Sequence, residues 1–333
     1  MTVDRRTLLL GTAAAGIAAK AGSQTPPPST PESQWLSVPD PTGTIDLWPG
    51  LPPGAPAKLP VEQVHERSKD PAFNDRYVTG IAHPRLVVFR PAKPNGGAVM
   101  ITPGGGYERV VVDKEGYEIA RWLVAQGVTA FVLLYRLPGD GWLSGPDTPL
   151  QDAQRAMRLI RSSAAQYRID PKRVVAIGFS AGGHVCASLL TRFAANVYAP
   201  VDAADRLSAR PNGAAPIYPV ISMSAPTAHM GSRDLLIGEH ASPELERKYN
   251  PALNVPADAP PSFLLQAEDD PAVPIANTLM LREGLLAAKV PVETHLYPDG
   301  GHGFGLRLSK GHSVEGWQDV LWAWGVKRRL FAD

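Results

Sequence analysis

The sequence predicts an α/β fold with a mainly parallel central sheet and helices on both faces. Three observations carry this. From about residue 45 onward, β-rich apolar runs alternate with helical periodicities, the pattern of successive βα units. Several of these runs are continuously apolar, as strands covered on both faces require. A Gly-x-Ser-x-Gly, Gly178-Phe179-Ser180-Ala181-Gly182, joins one such run directly to a helical pattern.

In chain order, residues 1–21 read as an export signal. Asp4-Arg5-Arg6-Thr7 precedes a weakly hydrophobic stretch from Leu8 to Ala19, and Ala19-Lys20-Ala21 is a small-x-small cleavage pattern. The stretch is too short to span a bilayer as a stable helix. Its paired arginines resemble a twin-arginine signal, so the mature chain is expected in the periplasm or secreted, with no membrane insertion after cleavage. Residues 22–44, which include Pro26-Pro27-Pro28, read as a Pro/Ser/Thr-rich linker. Residues 45–333 read as one folded domain without internal repeats.

Within that domain, strands are predicted over 86–90, 98–102, 128–135, 174–179, 217–223, 262–267 and 293–297. Helices fit between them at 115–126, 150–167, 181–193, 276–289 and 314–330. In the last helix Trp317, Val320, Leu321 and Trp324 share a face at i, i+3, i+4 and i+7, so these tryptophans belong to the core. Lys327-Arg328-Arg329 ends it, where cations suit the helix dipole. Two stretches break the alternation: a Gly/Pro-rich loop over 137–149, with Trp142 expected to be exposed, and a long polar insertion over 224–261. Both are expected to roof a site at the carboxyl ends of the strands.

Composition removes several function classes. With 33 basic and 32 acidic side chains the formal charge is +1, so no whole-protein field would gather nucleic acid or anionic membrane. Cys186 is the only cysteine, which excludes an intramolecular disulfide and a thiolate metal cluster; its setting reads as a small apolar filler. No clustered set of ligand residues suggests a metal, no cofactor motif is present, and oligomeric state is not legible.

The chemistry is concentrated at four places. Ser180 follows the run Val174 to Ile177 and opens a helix, the strand, sharp turn and helix of a nucleophile elbow in the α/β-hydrolase fold. Pro103-Gly104-Gly105-Gly106-Tyr107 follows an earlier strand. Consecutive glycines expose backbone N–H groups, so Gly105 and Gly106, with Ala181 after the nucleophile, are candidates for an oxyanion hole. The rival phosphate-loop patterns are absent. Asp269-Asp270 and then Gly300-Gly301-His302-Gly303 follow two later strands and complete the order Ser, Asp, His. A serine hydroxyl needs a base to take its proton, so His302 is the expected base and one of the two aspartates its orienting partner. Of the eight histidines, His184 lies one turn into the elbow helix, and the others lack a loop context comparable to that of His302.

Together, Pro103 to Tyr107, the helix Asp152 to Arg158, Gly178-Phe179-Ser180-Ala181-Gly182-Gly183-His184, Asp269-Asp270-Pro271-Ala272-Val273-Pro274 and Gly301-His302-Gly303-Phe304 resemble the bacterial BD-FAE/acetylesterase-like α/β hydrolases. The likeness runs from about Ile45 to the C-terminus. It implies a serine ester hydrolase with the triad Ser180, Asp270 and His302, Asp270 being chosen because it opens the Asp-x-x-Val-Pro turn. It also implies a small acyl group such as acetate on a carbohydrate or oligosaccharide ester, with a general short-chain carboxylesterase as the alternative. Thr102-Pro103 stands where hormone-sensitive-lipase-like relatives begin their His-Gly-Gly-Gly loop, which makes lipid substrates less expected. A prolyl-oligopeptidase-like peptidase shares this triad order but usually carries a large additional propeller domain, for which there is no room. An inactive binding scaffold would not keep all four elements.

Overall fold

The computed structural model describes residues 41–332, so the predicted signal and residues 22–40 of the linker lie outside the described residues. Eight strands form the central sheet: β1 (Gly43–Asp46), β4 (Arg85–Phe89), β7 (Thr129–Leu134), β5 (Ala98–Thr102), β8 (Val174–Phe179), β9 (Gly213–Ile217), β10 (Ser262–Ala267) and β11 (Val292–Tyr297), in that spatial order. β1 and β4 run antiparallel to their neighbours; from β7 to β11 all pairings are parallel. Every residue of β5, β7, β8, β9 and β10 is buried. That is why β5, β7, β8 and most of β10 read as apolar runs: both faces are covered. The edge strand β11 is only half-buried.

The principal helices are α1 (Glu118–Ala125), α2 (Thr148–Ser162), α3 (Ser180–Arg192), α4 (Met230–Ile237), α5 (Pro243–Lys248), α6 (Ala276–Ala287) and α7 (Trp317–Lys327). Trp317, Leu321 and Trp324 are buried as their spacing predicts, and Val320 is half-buried. A single π-helical turn, Asp113–Tyr117, precedes α1 and occupies the start of the helix predicted from residue 115.

The strand order fixes where the site must be. From β5 the chain crosses to β7 on one side, then returns past β5 to β8 on the other. This reversal opens a crevice at the carboxyl ends of β5 and β8. The two strands are paired there, with Thr102 opposite Gly178, so the glycine loop after β5 and the serine after β8 must be neighbours.

Several expectations are corrected. The strand predicted over 217–223 shares only Ile217 with an observed strand, β9, which covers Gly213–Ile217 and was not itself predicted. Tyr218 takes φ +36° and Pro219 has no N–H to give a ladder, so the chain leaves the sheet there. The apolar run is real but reports burial beneath the elbow, where the Val220 N–H donates to the Ser180 carbonyl at 3.1 Å. Trp142 is buried, not exposed: its ring lies 4.6 Å from the buried guanidinium of Arg136, which is paired with buried Asp152 at 2.8 Å. β1 takes in Gly43 and Thr44, the last two residues of the predicted linker. A second sheet, β2 (Gln63–Glu66), β3 (Arg76–Thr79) and β6 (Val110–Val111), has no counterpart in the prediction, because two of its strands are mostly exposed or half-buried and carry no apolar run.

Candidate active site

β8 arrives extended at Phe179, and Ser180 turns to φ +54° as the first residue of α3. A non-glycine residue in this region is strained by about 1–2 kcal/mol, so the surroundings must hold it. They do so by close backbone approach. A Cβ at Gly182 would lie 2.1 Å from the Thr102 carbonyl oxygen, and one at Gly178 would lie 2.3 Å from the carbonyl oxygen of Gly182. The Thr102 hydroxyl donates to the Gly182 carbonyl at 2.8 Å, tying β5 to the first turn of α3.

The Ser180 Oγ is 2.8 Å from His302 Nε2, and His302 Nδ1 is 2.7 Å from Asp270 Oδ2. Of the two adjacent aspartates it is Asp270, the one chosen from the Asp-x-x-Val-Pro turn, that meets His302. Its buried carboxylate also accepts the N–H groups of Ala272 and Val273 at 2.9 Å on Oδ1, and the Gln266 amide at 3.1 Å on Oδ2. Adjacent side chains on an extended segment point opposite ways. Asp269 accordingly reaches elsewhere and accepts the Gly301 N–H at 2.8 Å, securing the loop that carries His302. With Nδ1–H donated to Asp270, Nε2 is left as the acceptor for the serine proton. The set can therefore activate Ser180 as a nucleophile.

A cavity of about 300 Å³ opens over this centre, with Ser180, His302, Gly105 and Gly106 in its wall. Gly105 and Gly106 have φ of +131° and +69°, conformations that a side chain would strain. Ala181 is buried in the first turn of α3, whose leading N–H groups have no intrahelical acceptor. The insertion over 224–261 supplies part of the roof through His229, Gly231 and Leu235, as expected. The loop over 137–149 does not line the cavity; it packs behind α4, where a Cβ on Gly139 would touch Leu235 at 3.3 Å.

Sequence reasoning missed three residues here. Glu115, on the π turn, is buried; its Oε2 accepts the Gly104 N–H at 2.9 Å and its Oε1 accepts the Tyr218 hydroxyl proton at 3.0 Å. The Tyr218 ring packs against His302 and Phe304 at centroid distances of 5.0 and 4.7 Å. One carboxylate thus joins the glycine loop to the support under the base, through contacts 11 and 103 residues apart in sequence that no short motif records. His229 caps α4, accepting the Ser232 N–H on Nδ1 at 3.2 Å, so its neutral form carries the proton on Nε2. Burial, and next the charge of His302, lower its pKa.

His184, near the motifs in sequence, is a structural tie. The carbonyl of Tyr249 accepts its Nε2–H at 2.8 Å, and Nδ1 accepts the Tyr107 hydroxyl proton at 2.6 Å. Burial pushes its pKa down to about 4, so it stays neutral while linking glycine loop, nucleophile helix and insertion. Among the described residues no cluster of His, Cys, Asp and Glu could hold a metal, and no helix is long and apolar enough to cross a membrane.

Comparison with known proteins agrees with this geometry. Residues 88–285 match the family profile described as BD-FAE. Among curated proteins the chain is 34% identical over 227 residues to an acetylxylan esterase of Xylanibacter ruminicola, covering 67% of this chain and 44% of that protein. It is 35% identical over 221 residues to endo-1,4-beta-xylanase B of Butyrivibrio fibrisolvens, covering 66% of this chain and 34% of that one. The chain therefore spans less than half the length of these relatives. Among solved structures, an acetyl ester-xyloside bifunctional hydrolase from Caldicellulosiruptor lactoaceticus superposes with a TM-score of 0.71 at 32% identity, over 89% of this chain and all of that one. A propionate-bound esterase from Thermogutta terrifontis shares the fold, with a TM-score of 0.61 at 22% identity over 83% and 97% of the two chains.

Proposed function

Because the chain belongs to the BD-FAE family and has the α/β-hydrolase fold, we propose that it is a serine carboxylic-ester hydrolase that removes acetyl or other short acyl groups from carbohydrates. The observation that carries this reading is the continuous relay Ser180 Oγ, His302, Asp270, at 2.8 and 2.7 Å. Ser180 attacks the ester carbonyl while His302 takes its proton, and Asp270 holds the imidazole tautomer and steadies the imidazolium. The N–H groups of Gly105, Gly106 and Ala181 receive the oxyanion. The alcohol leaves with the proton from His302, and water then releases the acid from Ser180 by the same steps in reverse order. A short acyl group and a sugar alcohol are supported by the names of the relatives, an acetylxylan esterase and an acetyl ester-xyloside hydrolase. The paired Arg5-Arg6 ahead of an apolar stretch supports export by a twin-arginine route to the periplasm or beyond.

Labelling with a fluorophosphonate probe tests the nucleophile: the wild type is labelled and Ser180→Ala is not. Acetate release from acetylated xylan, beside a series of 4-nitrophenyl esters of rising chain length, tests the substrate. Activity that rises toward long acyl chains, or release of nothing from the xylan, would move the reading away from carbohydrate acetyl esters.

A further inference from the structure

The wall of the same cavity narrows the kind of ester the site prefers. Lys114, on the π turn, lies against the His302 loop. A Cβ on Gly305 would lie 2.9 Å from Lys114 Cγ, and one on Gly303 would lie 3.4 Å from Lys114 Nζ. Gly303 and Gly305, at φ +69° and +52°, thus leave room for the lysine stem and bring its ammonium beside the residue that follows His302. Lys114 lines the cavity and no ion pair holds it among the described residues. Arg67 and Arg109 line the same cavity, their guanidiniums 5.6 and 5.0 Å from the Tyr77 ring centre.

Two of the three cations have a carboxylate beside them, and donors remain after those pairings. Arg67 is paired with Asp75 at 2.8 Å, but Asp75 is not part of the cavity; Arg109 is 3.3 Å from Glu108, whose side chain is 64% exposed. Each guanidinium keeps further donors after such a pairing. The other carboxylate of the wall, Glu115, is buried with both oxygens already accepting hydrogen bonds. A bound molecule therefore meets three cationic donors and one solvated acceptor.

We propose that Lys114, with Arg109 and Arg67, forms an anion-accepting subsite beside Ser180, and that the preferred ester carries a carboxylate close to its reacting carbonyl, as a uronic-acid-bearing oligosaccharide would. This rests on the esterase reading. The preference is local, since the whole chain carries a formal charge of only +1.

Acetate release from 3-acetoxybenzoate and from its methyl ester compares an anion with a neutral molecule of similar shape. The quantity read is the quotient of the two kcat/KM values, anionic over neutral. Lys114→Met keeps the stem and removes the charge, and should lower the quotient about five- to tenfold, as loss of a partly desolvated charged contact does. Arg109→Gln should lower it in the same direction and serves independently if Lys114→Met does not fold. In the wild type the quotient should fall as salt rises from about 0.02 to about 0.5 M. Cleavage of the methyl ester with a quotient that neither substitution nor salt moves would overturn the subsite and leave the esterase standing. An enzyme that cleaves neither ester loses both.

Discussion

Glu115 is the residue whose removal separates positioning from chemistry. It touches none of the reacting atoms, yet its carboxylate receives the Gly104 N–H at 2.9 Å and the Tyr218 hydroxyl at 3.0 Å, both in the buried floor of the site. Glu115→Ala leaves two buried donors without acceptors, at about 1–3 kcal/mol each, so a stability loss of about 3–5 kcal/mol is expected. Glu115→Gln is milder. Its oxygen can still accept from Gly104, whose amide cannot turn round, while its NH₂ donates to the Tyr218 oxygen and leaves only the hydroxyl proton to find a partner. About 1–2 kcal/mol is expected for that change. The catalytic effect should exceed the stability effect in kind: if the glycine loop is displaced, an oxyanion donor is lost and kcat falls by about 10²–10³ in the alanine variant with KM little changed. Both variants would be followed by urea denaturation and by steady-state kinetics on 4-nitrophenyl acetate. A folded Glu115→Ala protein with kcat within about threefold of wild type would refute the reasoning, because the loop would then be held without its carboxylate.

Other expectations follow from the same contacts. Asp270→Asn should leave a folded protein with kcat reduced about 10⁴-fold through the wrong histidine tautomer, whereas Asp269→Ala, which loses one exposed hydrogen bond to Gly301, should cost about 1 kcal/mol and far less rate; exchanged phenotypes in kinetics and thermal melts would reverse the assignment. His184 has its pKa lowered to about 4 by burial, so its contribution is present above pH 6.5 and lost as pH falls towards 4. Glu118 has its pKa raised to about 7 by burial, so its contribution is present below pH 4.5 and lost as pH rises towards 7. The two slopes oppose each other between those limits: in denaturation measured against pH, His184→Gln should gain relative stability on acidification, Glu118→Gln should lose it, and parallel profiles would contradict both. Burial pushes the Cys186 thiol up to about 12, so a thiol reagent should label the native protein only on unfolding; rapid native labelling would show the helix packing to be open.

Six of the eight strands of the central sheet, and the order of its chemistry along the chain, were legible in the sequence. Buried parallel strands must be apolar along their whole length, so β5, β7, β8 and β10 were visible as runs. Glycines at a tight elbow and consecutive glycines after a strand are demanded by local backbone geometry, so Ser180 and the loop through Gly106 could be found from neighbours in the chain. What depended on the fold was everything joining distant segments. Asp270 rather than Asp269 faces His302 because of the direction in which one side chain leaves the chain. Glu115 and Tyr218 meet across 103 residues, and His229 enters the cavity from an insertion whose pattern says nothing of its target. The apolar run after Ile217 misled for the same reason: hydrophobicity records that a segment is buried, while only the backbone, here Tyr218 and Pro219, decides whether it is buried as a strand.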